Sequence, residues 1–465
     1  MFKSYAVRLS HPYSIALFIF LLALTVRVYF LPFSLLRDQP FDPTNVAFDG
    51  YYWIANNILA GNGFSGSVQA PYVPDDIRMP LYPLLIAGIL KIFGSTKALF
   101  VLQALIGSAT AVLAWIVAKE FLSTRWSAAV GFAMALEPLG AYLTSTMLSE
   151  TVFTAVFVLA IYFFLQYLKD KRLAILTLTI ALLGVATLIR PTTQYVPIIM
   201  LAILFWNSSF LFNTRLVKEV CIVLGLFIVI LSPWIYRNYL VFGSTELNVQ
   251  AASTLYAYFV PSTIALEKGI SYEEAAKEFF EREHSQGIGD VTLANASDYK
   301  QRAFAELRKH PKGLIESVLV TQYAFFTNDG LASVLSRRGI AISFAHPPYA
   351  ELITHPLKAM NFFWELAHGP GVIVILGRFF WIAVTLLAAA GAFLFWRQKG
   401  LLPQFVYIVA LIAYFALTTS IIGPGVNGRL RVPVEPLIFI FAAFALERVF
   451  RKPDASFSPH KGIAL

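Results

Sequence analysis

Charge is scarce in this chain. Asp, Glu, Lys and Arg make up 14% of its 465 residues, against roughly 25% in a soluble domain. Such a deficit excludes an ordinary soluble enzyme, because the apolar remainder exceeds what one water-facing fold can bury. Cysteine is nearly absent: Cys221 stands alone, which excludes an intrachain disulfide. It lies within an apolar run and reads as a small core residue. Histidines are few, and His284, His310, His346, His355 and His368 show no ligand-like spacing, so a structural zinc site is not expected. No internal repeat or low-complexity tract is visible. No small-residue cleavage site follows the first apolar run, which is therefore expected to be a retained span rather than a signal peptide.

Long apolar runs are what the chain has. Hydrophobic residues reach 58% and the mean hydropathy is +0.67. A membrane span needs about 20 apolar residues, and ten runs qualify: 13–36, 98–118, 126–143, 150–168, 173–189, 195–212, 220–240, 372–396, 402–422 and 432–450. The expected fold class is an all-α polytopic membrane protein. The net charge of +9 reads as cytoplasmic anchoring of loops, not as nucleic-acid binding.

Segment 79–93 decides the topology. It is apolar but about 15 residues long, with Pro80 and Pro83 at its start, so it suits a helix lying on the membrane surface better than a crossing. With it on the surface, fifteen basic residues of the short loops and termini fall on one side, among them Lys119, Arg125, Lys169, Lys171, Arg172, Arg215, Lys218, Arg397 and Lys399. The short outer connections then hold only Arg190, Arg429 and Arg431. A crossing there would invert every later loop against the positive-inside tendency. The chain therefore divides into an N-terminal transmembrane module, 1–240, with a first outer loop at 37–97; an outer helical region, 241–371; and C-terminal transmembrane helices with a cytoplasmic tail, 372–465. Both termini are expected inside. In the outer region, Ser271 with Glu274 forms a capping box ahead of an amphipathic helix over 272–283. Further helices are expected over 298–309 and, along the membrane surface, over 313–327.

The polar residues at the outer ends of spans carry the candidate chemistry. Asp49 opens a short interfacial helix that Gly61 and Gly63 would end. It could serve as an N-cap or as a general base facing a membrane-embedded pocket. Arg78, Glu150, Arg190, Arg237 with Asn238, Arg429 and Arg431 share that side. Each arginine alone could be a snorkelling anchor, but several together on the disfavoured face need an anionic partner, and phosphate suits the guanidinium fork. Asp49 and Glu150 could act as base and as ligands of a divalent cation. Glu137, ahead of Pro138 in an apolar run, is either an intramembrane functional group or the site of an early helix end.

In order along the chain come Asp49 with Tyr52, Gly61-Asn62-Gly63, Arg78-Met79-Pro80-Leu81-Tyr82-Pro83, Ser149-Glu150, Arg190-Pro191, Pro233-Trp234 with Arg237-Asn238, His310-Pro311 and Arg429-Leu430-Arg431-Val432-Pro433. This series resembles the GT-C glycosyltransferases, in particular the bacterial branch related to protein O-mannosyltransferases and aminoarabinose transferases (families 39 and 83). The resemblance covers nearly the whole chain except 261–297. It implies a GT-C fold of about ten transmembrane helices plus interfacial helices in two large outer loops. It implies transfer of a hexosyl or pentosyl unit from a polyprenyl-phosphate donor to a lipid, polysaccharide or protein acceptor at the outer face of the cell membrane. By resemblance, Asp49 and Glu150 are catalytic. Arg190, Arg237, Arg429 and Arg431 bind the donor phosphate, and Tyr52, Arg78, Tyr82 and Asn238 position substrate. Some members use a divalent cation (Mg, Mn or Zn), and Asp49 and Glu150 could hold one here; the adjacent acidic pair common in the family's first loop is absent, since Gly50 follows Asp49. A transporter or flippase of polyprenyl-linked glycan, or an O-antigen ligase-like protein, is the alternative. The former usually shows repeats, and the latter gathers its arginines in one outer loop.

Overall fold

The computed structural model describes residues 12–32, 50–208, 213–337, 340, 361, 364, 367–423 and 428–450. Asp49, His346 and His355 lie outside the described residues. No strand is present among the described residues; apolar chain in hydrocarbon satisfies its backbone groups within helices. The helices are α1 (Pro12–Phe30), α2 (Tyr51–Ala60), α3 (Leu81–Phe93), α4 (Lys97–Ala118), α5 (Thr124–Leu136), α6 (Pro138–Leu143), α7 (Glu150–Asp170), α8 (Leu173–Ile189), α9 (Val196–Trp206), α10 (Thr214–Phe242), α11 (250–268), α12 (Tyr272–Ser285), α13 (Ala296–Leu307), α14 (Pro311–Thr327), α15 (Leu331–Arg337), α16 (Val372–Lys399), α17 (Pro403–Thr419) and α18 (Glu435–Val449). Six of them, α1, α4, α7, α10, α16 and α17, are long and apolar enough to cross a membrane. Helices α8 and α9 are shorter apolar helices, and the expected third and tenth runs carry α5 and α18. The chain is a multi-pass membrane protein.

The third apolar run is not one helix. Pro138 lacks an amide hydrogen and biases its predecessor away from helical backbone, and Glu137 adopts φ −61°, ψ 115°. Helix α5 stops at Leu136. The Glu137 carboxylate then accepts from the amides of Leu139 and Gly140 and caps α6. Of the two readings of Glu137, the early helix end is the one observed.

Helix α3 has 13 residues, about 20 Å at 1.5 Å per residue, short of the roughly 30 Å hydrocarbon core. It buries Tyr82, Ile86 and Ile89 on one face, packs along α2, and leaves Ile92 and Phe93 exposed. Basic loops expected inside meet at one end of the bundle: Lys169 pairs with Glu120, and Arg215 donates to the carbonyl of Lys171. The outer region forms a small core of its own, in which Tyr256 and Phe259 of α11 pack with Phe279 of α12 and Tyr299 and Ala303 of α13. Its helices match the expected ones within a few residues, and Ser271 Oγ accepts from the Glu274 amide at 3.1 Å.

Helices α16 and α18 form the most extensive pair in the bundle, and a glycine makes that approach possible. A Cβ on Gly391 of α16 would overlap the Phe441 carbonyl oxygen of α18. Gly391→Ala is therefore expected to destabilise the fold by about 1–3 kcal/mol, the usual cost of overpacking. An unchanged thermal unfolding midpoint in detergent would show that the two helices can separate freely.

Candidate functional site

Where the outer ends of α7 and α8 meet the outer region, a cavity of about 620 Å³ opens. Proline and a helix start set its chemistry. Pro191 forces extended backbone on Arg190, at φ −145°, ψ 128°, so α8 ends there and the arginine is turned toward α7. Glu150 begins α7 behind Ser149, where the unpaired amides of a helix start favour an anion. Arg190 Nη1 lies 2.7 Å from Glu150 Oε1, and Arg429 Nε is 3.8 Å from the same oxygen. Glu150 is only 2% exposed, so one buried carboxylate is shared by two guanidiniums. Ser149 Oγ accepts from Arg190 Nη1 at 3.3 Å and sits 3.4 Å from the Tyr51 hydroxyl. Arg78 lies over the Tyr51 ring, 5.3 Å from its centre.

The two outer segments are laced together beneath Arg78. Asp75 Oδ1 accepts from the amides of Ile77 and Arg78. Asp76 Oδ2 accepts from the Leu293 amide, and Asn248 Nδ2 donates to the Ile77 carbonyl. Burial pushes the Asp75 carboxyl above the usual carboxylate range, opposed by these amides and by Arg78.

Four of the sequence-expected residues thus meet: Arg78, Glu150, Arg190 and Arg429 all line the cavity. The others take different places. Arg237 donates to the Asp75 carbonyl at 3.0 Å and to Asn238 Oδ1 at 2.9 Å, and lies among Phe64, Trp234 and Phe242; it braces the loop that carries Arg78. Asn238 donates to the carbonyls of Glu246 and Leu247. Tyr82 is buried and donates to Gln103 Oε1 at 2.7 Å, while Gln103 holds the carbonyls of Thr144 and Thr146. Tyr52 is half-buried on α2 beside Trp53. Arg431 is wholly buried. It donates to the carbonyls of Phe325 and Asn328, both at 2.7 Å, and to Glu435 at 3.2 Å, with its guanidinium 3.5 Å from the Trp381 ring centre. None of these five lines the cavity. Arg431 anchors the turn Gly428–Leu430, and with it Arg429.

Two cations in the lining were not singled out from the sequence: Lys300 and Arg308, at the two ends of one face of α13 with Phe304 between them. The spacing i, i+4, i+8 is the signal that could have revealed them. Gln194, Asn248 and Tyr414 also line the cavity, without any pattern of that kind.

Membrane-length helices roofed by short outer helices around a cationic cavity make a polytopic helical architecture, and it is similar to solved structures. The oligosaccharyltransferase of Archaeoglobus fulgidus in its apo form aligns with a TM-score of 0.53 at 13% identity, over 96% of this chain and 51% of its own. The same protein in complex with zinc and sulfate gives 0.50 at 14% identity, over 94% and 49%. ArnT from Cupriavidus metallidurans, bound to undecaprenyl phosphate, gives 0.40 at 14% identity, over 93% and 77%. The chain thus spans about half the length of the archaeal protein. Residues 74–236, which include Arg78, Glu150 and Arg190, match the family described as dolichyl-phosphate-mannose-protein mannosyltransferase. No curated protein matches the chain in sequence. The chain shares the fold of the archaeal oligosaccharyltransferase.

Of the two expected ligands of a divalent cation, Asp49 lies outside the described residues and Glu150 within them. Among them no group of three or more His, Cys, Asp or Glu could hold a metal. The single cavity carboxylate, Glu150, already faces two guanidiniums, whose charge opposes a cation.

Proposed function

We propose that this protein is an integral-membrane glycosyltransferase that moves a sugar from a polyprenyl-phosphate donor to an acceptor hydroxyl on the extracytoplasmic face. The observation that carries the reading is the shared carboxylate: Glu150 holds Arg190 and Arg429 side by side at the wall of a cavity whose lining there includes the apolar or uncharged Phe153, Ile189, Tyr195 and Leu314. Breaking the sugar–phosphate bond leaves charge on the carrier phosphate. Guanidiniums fixed in advance at that phosphate lower the barrier because they need not reorganise as charge develops. Arg190 and Arg429 take this role, with Arg78 beside them. Glu150 orients the pair, and its burial keeps the geometry from relaxing into water.

Asp49 precedes Tyr51, a lining residue, by two positions in the chain. It is the acid we assign to the acceptor, as general base. Purified protein supplied with radiolabelled polyprenyl-phosphate sugars should transfer label, and Asp49→Asn should lower the rate at least about a hundredfold, the usual scale for a general base. Equal transfer by both proteins would remove Asp49 from the mechanism. The role we give Glu150 requires no metal, so transfer should persist within about twofold after exhaustive chelation, on the scale set by a lost Lewis acid, which would cost several kcal/mol. A collapse restored by magnesium, manganese or zinc would return Asp49 and Glu150 to the part of ligands.

A further inference from the structure

The cavity carries more positive charge than one carrier phosphate accounts for. Its described lining holds five Arg or Lys residues, Arg78, Arg190, Lys300, Arg308 and Arg429, and one acid, Glu150. A sugar phosphodiester brings a single negative charge. Two of the five, Lys300 and Arg308, sit on one element. Lys300, Phe304 and Arg308 recur every four residues along α13 and its end, so they share a face. That helix packs on α11 of the outer region, whereas Glu150 and Arg190 reach the cavity from the membrane helices. Lys300 is salt-bridged to Glu246, which does not line the cavity, and Arg308 is exposed with no ion-pair partner among the described residues.

We propose that the α13 face is a second anion-binding subsite, separate from the carrier-phosphate site, and that it recognises a negatively charged group on the acceptor. This deepens the glycosyltransferase reading and rests on it. The same chemistry could come from a second phosphate on the carrier, but two phosphates that share a bridging oxygen call for cations converging on one point. Lys300 and Arg308 are eight residues apart, about 12 Å along a helix, and lie on a different element from Arg190. Two spaced cations suit a phosphate- or carboxylate-bearing headgroup or glycan, with Phe304 between them offering an apolar contact.

The test uses the full chain in nanodiscs saturated with undecaprenyl phosphate, so that the carrier site is filled. Glycerol phosphate is then titrated by calorimetry, with glycerol as the neutral control. We expect glycerol phosphate to bind and glycerol not to. Arg308→Gln combined with Lys300→Gln should weaken glycerol phosphate at least about tenfold, as expected for loss of charge-assisted hydrogen bonds, while the affinities for undecaprenyl phosphate and undecaprenyl diphosphate change less than about twofold. Arg308→Lys should keep most of the binding. No glycerol phosphate binding to the wild type would overturn the subsite. Selective loss of diphosphate affinity in the double variant would overturn its assignment to the acceptor. Arg190→Gln reports on the other reading: if it leaves undecaprenyl phosphate affinity intact, the carrier site itself is misassigned, whatever α13 does.

Discussion

Replacing Arg431 with methionine is expected to cost about 3–5 kcal/mol of stability, the scale for removing one partner of a buried ion pair. Arg431 and Glu435 are both 0% exposed. Without the guanidinium, Glu435 is left in a protein interior, and the carbonyls of Phe325 and Asn328 lose their donors. Unpaired buried carbonyls are each worth roughly 1–3 kcal/mol, and they make up part of that cost. Lysine should not rescue, because one ammonium cannot span two carbonyls and a carboxylate while stacking on Trp381. The double variant Arg431→Met with Glu435→Met should be less damaged than the single one, since it removes the stranded acid as well. Activity supplies a second readout. The turn that Arg431 anchors carries Arg429 to Glu150, so the folded fraction at low temperature should lose transfer more than it loses carrier binding. A single variant that melts with the wild type would mean the network is dispensable.

Arg190→Met should abolish transfer for a different reason. A preorganised donor at a developing oxyanion is worth about a hundred- to a thousandfold in rate, and Arg190 is the nearer of the two guanidiniums on Glu150, at 2.7 Å against 3.8 Å. The substitution also leaves Glu150, which is 2% exposed, with Arg429 alone, so part of the loss will be one of stability, below the roughly 3–5 kcal/mol of a fully unpaired buried charge. The two effects separate in a double variant. Glu150→Gln removes the half-compensated charge, and combined with Arg190→Met it should restore much of the melting temperature but none of the transfer. Recovery of transfer together with stability would show that Arg190 serves only to neutralise Glu150. Direct measurement of undecaprenyl phosphate affinity completes the set, with the single variant expected to weaken it at least about tenfold.

Hydropathy and charge sufficed for much of this. Segment 79–93 carries a helix of 13 residues, about 20 Å long, as short as its apolar run led one to expect. The end of α5 at Leu136 followed from one proline. The gathering of Arg78, Glu150, Arg190 and Arg429 at one cavity agrees with the alternation of loops expected with 79–93 on the surface. The amphipathic period of α13 was present too, but 4-residue spacing of cations is common on solvated helices and does not announce a cavity.

Composition and periodicity by themselves determined the solvent, the number of apolar runs, the side on which the polar residues collect and where prolines interrupt helices. These are local properties, set by residues close together in the chain. Only the tertiary structure decided which arginine faces the cavity. Arg429 and Arg431 differ by two positions in one short turn, and nothing in Arg429-Leu430-Arg431 distinguishes them. The distinction comes from groups distant in sequence: the carbonyls of Phe325 and Asn328 and the ring of Trp381 claim one guanidinium, and the carboxylate of Glu150 meets the other. In the same way the Asp75 carbonyl and three aromatic rings hold Arg237 away from the cavity as a brace. A buried guanidinium goes where enough acceptors converge to replace its water, and that convergence exists only after the chain has folded.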